Sequence, residues 1–157
     1  MTFFLSLRSI TLKSVSNMDE LIDILHAEDC SLVVCNTNGE VTTYNKKGVR
    51  DLIWLLDNDP QRLKYARIAD KVIGKAAAGL IVQGGVREVY ADVMSRLALP
   101  LLDAACIPYS YGELVDRIVI PAGDDRCPLE KIVTPATSAL EVEQMLRQHF
   151  AEMQQKG

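Results

Sequence analysis

Two residues, Asn38 and Gly39, constrain this chain more than any others, because they stand between an apolar run from Leu32 to Cys35 and a β-rich run of Val41, Thr42, Thr43 and Tyr44. An Asn-Gly pair supplies the backbone angles of a tight turn, so the stretch predicts a hairpin. Downstream, "NKKGVRDLIWLLDNDP" predicts a short helix carrying Leu52, Ile53, Leu55 and Leu56 and ended by Asp57–Pro60. "VREVYADVM" predicts a strand, after which Ser95 caps a helix "RLALPLLDAAC" that Pro100 kinks or delays. "ELVDRIVI" predicts another strand, "PAGDDRCPLEK" a loop with one helical turn, and "SALEVEQMLRQHFAEM" a closing amphipathic helix. A hairpin followed by helix-linked strands implies an α/β fold, a mixed sheet with helices on both faces.

Between these elements lies "ADKVIGKAAAGL", residues 69–80. Ile68, Val72, Ile73, Ala76, Ala77, Leu80 and Ile81 recur at spacings of three and four, which predicts one long helix ended by Gly84-Gly85. That helix would carry Lys71 and Lys75 one turn apart, a like-charge pair costing about 0.2–0.5 kcal/mol unless an anion joins them. Gly74 and Ala78 have little or no side chain, so a ligand or another backbone can approach the strip beside the lysines. A phosphate or pyrophosphate matches such donors; a solvated face, or pairing with Asp70, Asp51 or Glu130, is the plainer alternative.

The chain of 157 residues, 48% hydrophobic and 24% charged, suits one domain with one core. A helix "MDELIDILHAED" opens at Met18, so residues 18–157 are read as that domain and residues 1–17 as an extension, either an upstream start or an added edge strand. A formal net charge of −4 with no basic cluster speaks against nucleic-acid binding. No apolar run approaches the length of a membrane span, and Arg8 and Lys13 interrupt the N-terminal stretch, which is not read as a signal peptide. Cys30, Cys35, Cys106 and Cys127 form no C-x-x-C pair, and a cytoplasmic location is expected.

His26-Ala27-Glu28 imitates the His-x-Glu of zinc deaminases, yet the chain has no Pro-Cys-x-x-Cys and the motif precedes the first strand, so no metal and no cofactor are expected. Gly74-Lys75 is not a P-loop, since the earlier glycine and the Ser or Thr are missing. "RCPLE", Arg126 to Glu130, places a thiol, a turn-forming proline and a carboxylate in one loop. Cys127 is a nucleophile if a cation lowers its pKa, and otherwise a small buried hydrophobe. Glu130 has three readings: capping the turn, pairing with a lysine, or acting as a base.

"SLVV", "KKGVRDLIWLL", "IADKVIGKAAAGL", "GGVREVYADVMS", "YGELV" and "CPLE" together resemble a small bacterial family with a cytidine-deaminase-like fold, over about Met18 to Glu130. The resemblance implies a three-layer α/β/α sandwich of deaminase topology without the zinc centre. It sets the lysine helix where true deaminases carry His-x-Glu, with Asp70 and Lys71 near its start. The next helix begins "MSRLA" and offers no thiolate. The chain departs from the family pattern at Ile120-Pro121, where that pattern has an Asn-Arg pair.

The expected function is therefore a zinc-free deaminase-fold protein that binds a nucleotide-like or ADP-ribose-like phosphorylated ligand, as a monomer or homodimer. Lys71 and Lys75 are expected at the phosphate, with Asp70 orienting them or a ribose hydroxyl. Cys35, Asn36, Tyr44, Asn45, Lys47 and Gly48, from the ends of the hairpin strands, are expected to line the pocket with Gly74, and Ser95, Cys127 and Glu130 to close it. Two rivals stand beside this reading. One is a zinc-independent hydrolase or group-transfer enzyme with Cys127 as nucleophile and Lys71 or Glu130 as proton carrier, Asp70 being a further catalytic candidate; the other is a regulatory module with a vestigial pocket.

Overall fold

The computed structural model describes residues 9–10, 17–46, 49–119 and 128–156. In chain order its elements are β1 (Ser9–Ile10), α1 (Met18–Ala27), β2 (Leu32–Cys35), β3 (Val41–Tyr44), α2 (Arg50–Asn58), α3 (Pro60–Leu63) and β4 (Arg67–Ile73). There follow α4 (Lys75–Gly84), β5 (Glu88–Ser95), a 3-10 turn (Arg96–Ala98), α5 (Leu99–Ala104), β6 (Tyr109–Val115), α6 (Pro128–Ile132) and α7 (Ala139–Lys156).

The Asn38–Gly39 turn closes the expected hairpin: Gly39 takes φ 83°, and Leu32 lies opposite Tyr44, Cys35 opposite Val41. The predicted helix at Met18 forms because Asn17 accepts the Glu20 N–H at 3.1 Å, and because Met18, Leu21 and Leu25 present one buried stripe. Ser95 caps the 3-10 turn through the Leu97 N–H, which delays α5 until Pro100 sits in its first turn. Gly85 ends α4 at φ 74°, the left-handed conformation that glycine adopts without strain.

One segment is read differently by the fold. Residues 69–80 are not one helix: Arg67–Ile73 is a strand, Gly74 breaks it, and the helix begins at Lys75. Strand β6 runs Tyr109–Val115, earlier than the predicted "ELVDRIVI", and Ile120 and Pro121 lie outside the described residues.

The sheet order is β1-β3-β2-β4-β5-β6: five strands of four or more residues, plus the two-residue edge that Ser9 and Ile10 make against Thr42 and Val41. The pairs β2–β3 and β2–β4 are antiparallel, β4–β5 and β5–β6 parallel, so the sheet is mixed. Right-handed crossovers that advance steadily in one direction place their helices on one face. In line with that, α2, α4, α5 and α7 bury Leu52, Leu55, Leu80, Ile81, Leu102 and Leu146 against Val34, Ile68 and Val89 in the main core. On the other face α1 packs over Val33, Cys35, Val41 and Ala69, while Ser110, Tyr111, Gly112 and Glu113 of β6 remain exposed.

Helix α7 crosses α4 at Gly79, where a Cβ would overlap Val142 Cγ1 and Cβ. Gly79→Ala is therefore expected to cost about 1–3 kcal/mol in overpacking, although alanine is the better helix former. Chemical denaturation measures it; a stabilised variant would contradict this packing.

Candidate functional site

In an open α/β sheet, the crevice where strand order reverses, beyond the strand C-termini, is the usual ligand position. Here the reversal lies between β2 and β4. The last β2 pairing is Leu32 with Asp70, followed by a bond from Lys71 N–H to Ser31 O at 3.0 Å, so β4 continues past the end of β2 alongside β5. Tyr44 stands at the same level, opposite Leu32. Beside it a cavity of about 220 Å³ is lined by Thr43, Tyr44, Asn45, Lys46, Asp51 and Trp54.

Two buried carboxylates belong to this end of the sheet. Asp70 is only 7% exposed; burial drives its pKa up to about 7, against backbone hydrogen bonds from Val72 and Lys71, with the charges of Asp51 and Asp92 adding to the rise. Its Oδ1 accepts the Val72 N–H at 3.2 Å. Asp51, in the first turn of α2, is buried and also raised, chiefly by desolvation, while its Oδ2 accepts the Lys46 N–H at 3.0 Å. A carboxyl that titrates near neutrality in a strand-end crevice can exchange a proton or pair with a ligand's N–H or O–H donors. Lys46 and Lys71 are exposed.

The start of α4 completes the region. Helix N-termini carry free N–H groups and a positive dipole end, which favour an anion. The anion found there belongs to the chain itself: buried Glu130, from α6, accepts the Lys75 N–H through Oε2 at 2.9 Å and the Ile118 N–H through Oε1 at 2.8 Å. Gly74 makes the approach possible, because a Cβ there would lie 2.7 Å from Glu130 Oε2. The Lys75 side chain reaches back, its Nζ donating to Thr134 O at 2.9 Å and Ala136 O at 2.7 Å. Glu130 and Lys75 thus fasten the segment between α6 and α7 to the head of α4.

Of the residues singled out from the sequence, Tyr44, Asn45, Asp70, Lys71, Gly74, Lys75, Ser95 and Glu130 gather at this end of the sheet. Lys71 and Lys75 are not one turn apart on a helix; one is on β4 and the other begins α4. Lys75 is held by backbone carbonyls rather than offered to a ligand, and Ser95 is fully buried as a cap. Cys35 and Asn36 do not share a pocket with Tyr44, because antiparallel pairing sends the two ends of the hairpin to opposite ends of the sheet. Lys47, Gly48 and Cys127 lie outside the described residues.

Three features escaped sequence reasoning. From the sequence Asp51 is only an alternative partner for the lysines, not a buried acid, and Lys46 is not singled out. The third is a hydrogen-bonded group on the α1 face, where Asp92 Oδ1 receives the Tyr90 hydroxyl at 2.7 Å and lies 2.7 Å from His26 Nε2. Residues two apart on a strand share a face, which is the one signal that could have linked Tyr90 to Asp92. His26 is thus a half-exposed helix-end residue engaged with Asp92. Among the described residues, no three His, Cys, Asp or Glu side chains are grouped to hold a metal ion, and no helix is long and apolar enough to cross a membrane. A cavity of about 500 Å³ lies between α2 and α7 against Trp54, Phe150 and Met153, and its carboxylate, Asp57, is bound to Arg147.

Comparison with known proteins agrees with this architecture. The crystal structure of a DUF1893 family protein (TM1506) from Thermotoga maritima matches with a TM-score of 0.75, covering 88% of this chain and 95% of that one. At 21% identity the likeness speaks for the fold alone. No curated protein matches. The family model described as TM1506, a domain of unknown function (DUF1893), matches residues 20–150, and the chain belongs to that family.

Proposed function

We propose that the protein binds a small phosphorylated ligand, nucleotide-like or ADP-ribose-like, in the crevice between β2 and β4, on a deaminase-like fold that works without zinc. The carrying observation is the pair of buried carboxyls at the strand-order reversal, Asp51 and Asp70, the charge of the first raising the pKa of the second. Exposed Lys46 stands on the cavity beside Asp51, and exposed Lys71 next to Asp70 on β4. The carboxyls suit ribose hydroxyls or ring N–H donors, and the lysines suit a phosphate. Lys71 takes the phosphate role first assigned to both lysines, since Lys75 is occupied by Thr134 and Ala136.

The test is calorimetric titration with ADP-ribose, at low salt, of the wild-type protein and Lys71→Ala. Lys71 is exposed on β4, so the variant is expected to keep its fold and bind at least tenfold more weakly. Equal affinities would remove Lys71 from the site.

One observation favours a second reading, a regulatory module with a vestigial pocket: Glu130 already satisfies the Lys75 N–H at the head of α4, where a ligand anion would otherwise bind. In that case neither protein takes up ADP-ribose.

A further inference from the structure

At the opposite end of the sheet, Cys35, Asn36, Thr37, Asn38, Gly39, Tyr65, Arg67 and Arg87 enclose a cavity of about 170 Å³. Three segments converge there: the hairpin turn, the approach to β4 and the approach to β5. The register enforces it, because Cys35 lies opposite Arg67, and Arg67 opposite Glu88.

We propose that this cavity binds the phosphoryl group of a small phosphate compound, at a site separate from the β2–β4 crevice. The Arg67 charge is paired with Glu88, and Arg87 brings a second guanidinium to the same small cavity. The Arg67 Nε donates to Glu88 at 3.0 Å, which orients the guanidinium plane and leaves its two terminal nitrogens without a hydrogen bond among the described residues. Arg87 has no ion-pair partner among the described residues; its N–H bonds Ala66 O at 2.8 Å, which anchors the backbone from which the side chain extends. Planar guanidinium forks match the oxygens of a phosphoryl group.

The remaining groups shape the site without competing for the anion. Asn36 Oδ1 accepts the N–H groups of Asn38 and Glu40, and its Nδ2 donates to Glu40 Oε1 at 2.8 Å, so the Glu40 carboxylate is engaged by the turn. Glu88 is likewise engaged by Arg67. Tyr65 holds φ 59°, unusual for a residue with a side chain, while its ring is 65% exposed beside the arginines. Bulky residues held in this conformation recur at ligand clamps. The cavity is smaller than the roughly 300–1,000 Å³ of pockets that enclose whole ligands. It therefore accommodates a phosphoryl headgroup and a few further atoms, not a nucleotide.

The experiment is an amide-resolved NMR titration of the full chain with inorganic phosphate and, separately, glycerol 3-phosphate, at constant ionic strength set with chloride. The proposal expects saturable shifts at residues 36–39, 65–67 and 86–87 with either probe. Tighter binding of glycerol 3-phosphate assigns a phosphate ester as the ligand class, and equal binding assigns free phosphate. Arg87→Gln, an exposed substitution, is expected to weaken binding at least tenfold, while Arg96→Gln, beyond the far end of β5, leaves it unchanged. Absence of saturable shifts at these residues, or equal affinity in Arg87→Gln, would overturn the proposal.

Discussion

Glu130→Ala is expected to destabilise the fold by about 2–4 kcal/mol, because it strips the acceptor from two N–H groups at once, each worth about 1–3 kcal/mol when left unsatisfied. Those groups are the Lys75 N–H at the head of α4 and the Ile118 N–H after β6, 2.9 and 2.8 Å from the two carboxylate oxygens. Glu130→Gln keeps one acceptor but turns an NH2 group toward the other donor, so a smaller loss, about 1–2 kcal/mol, is expected. Gly74→Ala acts on the same contact, since its Cβ would lie 2.7 Å from Glu130 Oε2. Urea unfolding of the three variants tests the assignment. If Glu130→Ala unfolded within about 0.5 kcal/mol of wild type, as ordinary surface substitutions do, the carboxylate would not be a structural cap.

Asp70→Asn is expected to become progressively more stable than wild type as pH rises. Burial lifts the Asp70 carboxyl from 3.8 to about 7, so the folded chain holds a proton that the unfolded chain releases. The stability linked to that proton is fully present below 3.8 and is lost as pH climbs through 7, at up to about 1.4 kcal/mol per pH unit. Asparagine does not titrate and can still accept the Val72 N–H. Between pH 4 and pH 8 the difference between variant and wild type is expected to grow by about 2–4 kcal/mol. Taking that difference matters, because other groups work in the opposite sense: Glu141, held low by hydrogen bonds from the Thr137 backbone and hydroxyl, loses its contribution on acidification. A difference that stays flat, or shrinks with pH, would mean that Asp70 is ionised in the folded protein.

Local signals carried most of the fold. Asn38-Gly39, the Ser95 cap and Gly85 each act within a few residues, and each is found where the sequence points. The error at residues 69–80 has a physical origin. Strand β4 is central, so Ile68 and Ala69 are both buried and the alternation that marks a half-exposed strand is missing. Helix α4 is buried from Ala76 to Ile81, and the two apolar runs placed end to end mimic a helical period. Gly74 was the available breaker between them. Strand β6 was displaced for the opposite reason: as an exposed edge, "YSYGE" is polar and carries no apolar run. At the site, Asp70 and Lys71 were legible as unusual residues, but Glu130 meets Lys75 across 55 positions of sequence, which no local spacing reveals.

The claim that most needs direct measurement is that the β2–β4 crevice takes a phosphorylated ligand. Amide-resolved NMR with ADP-ribose locates the contact as well as detecting it. The account predicts saturable shifts at residues 44–46, at Asp51 and at residues 70–73, at both ends of the Leu32 pairing with Tyr44 and Asp70. Spectra unchanged at millimolar ADP-ribose, or shifts confined to the arginine end of the sheet, would contradict it.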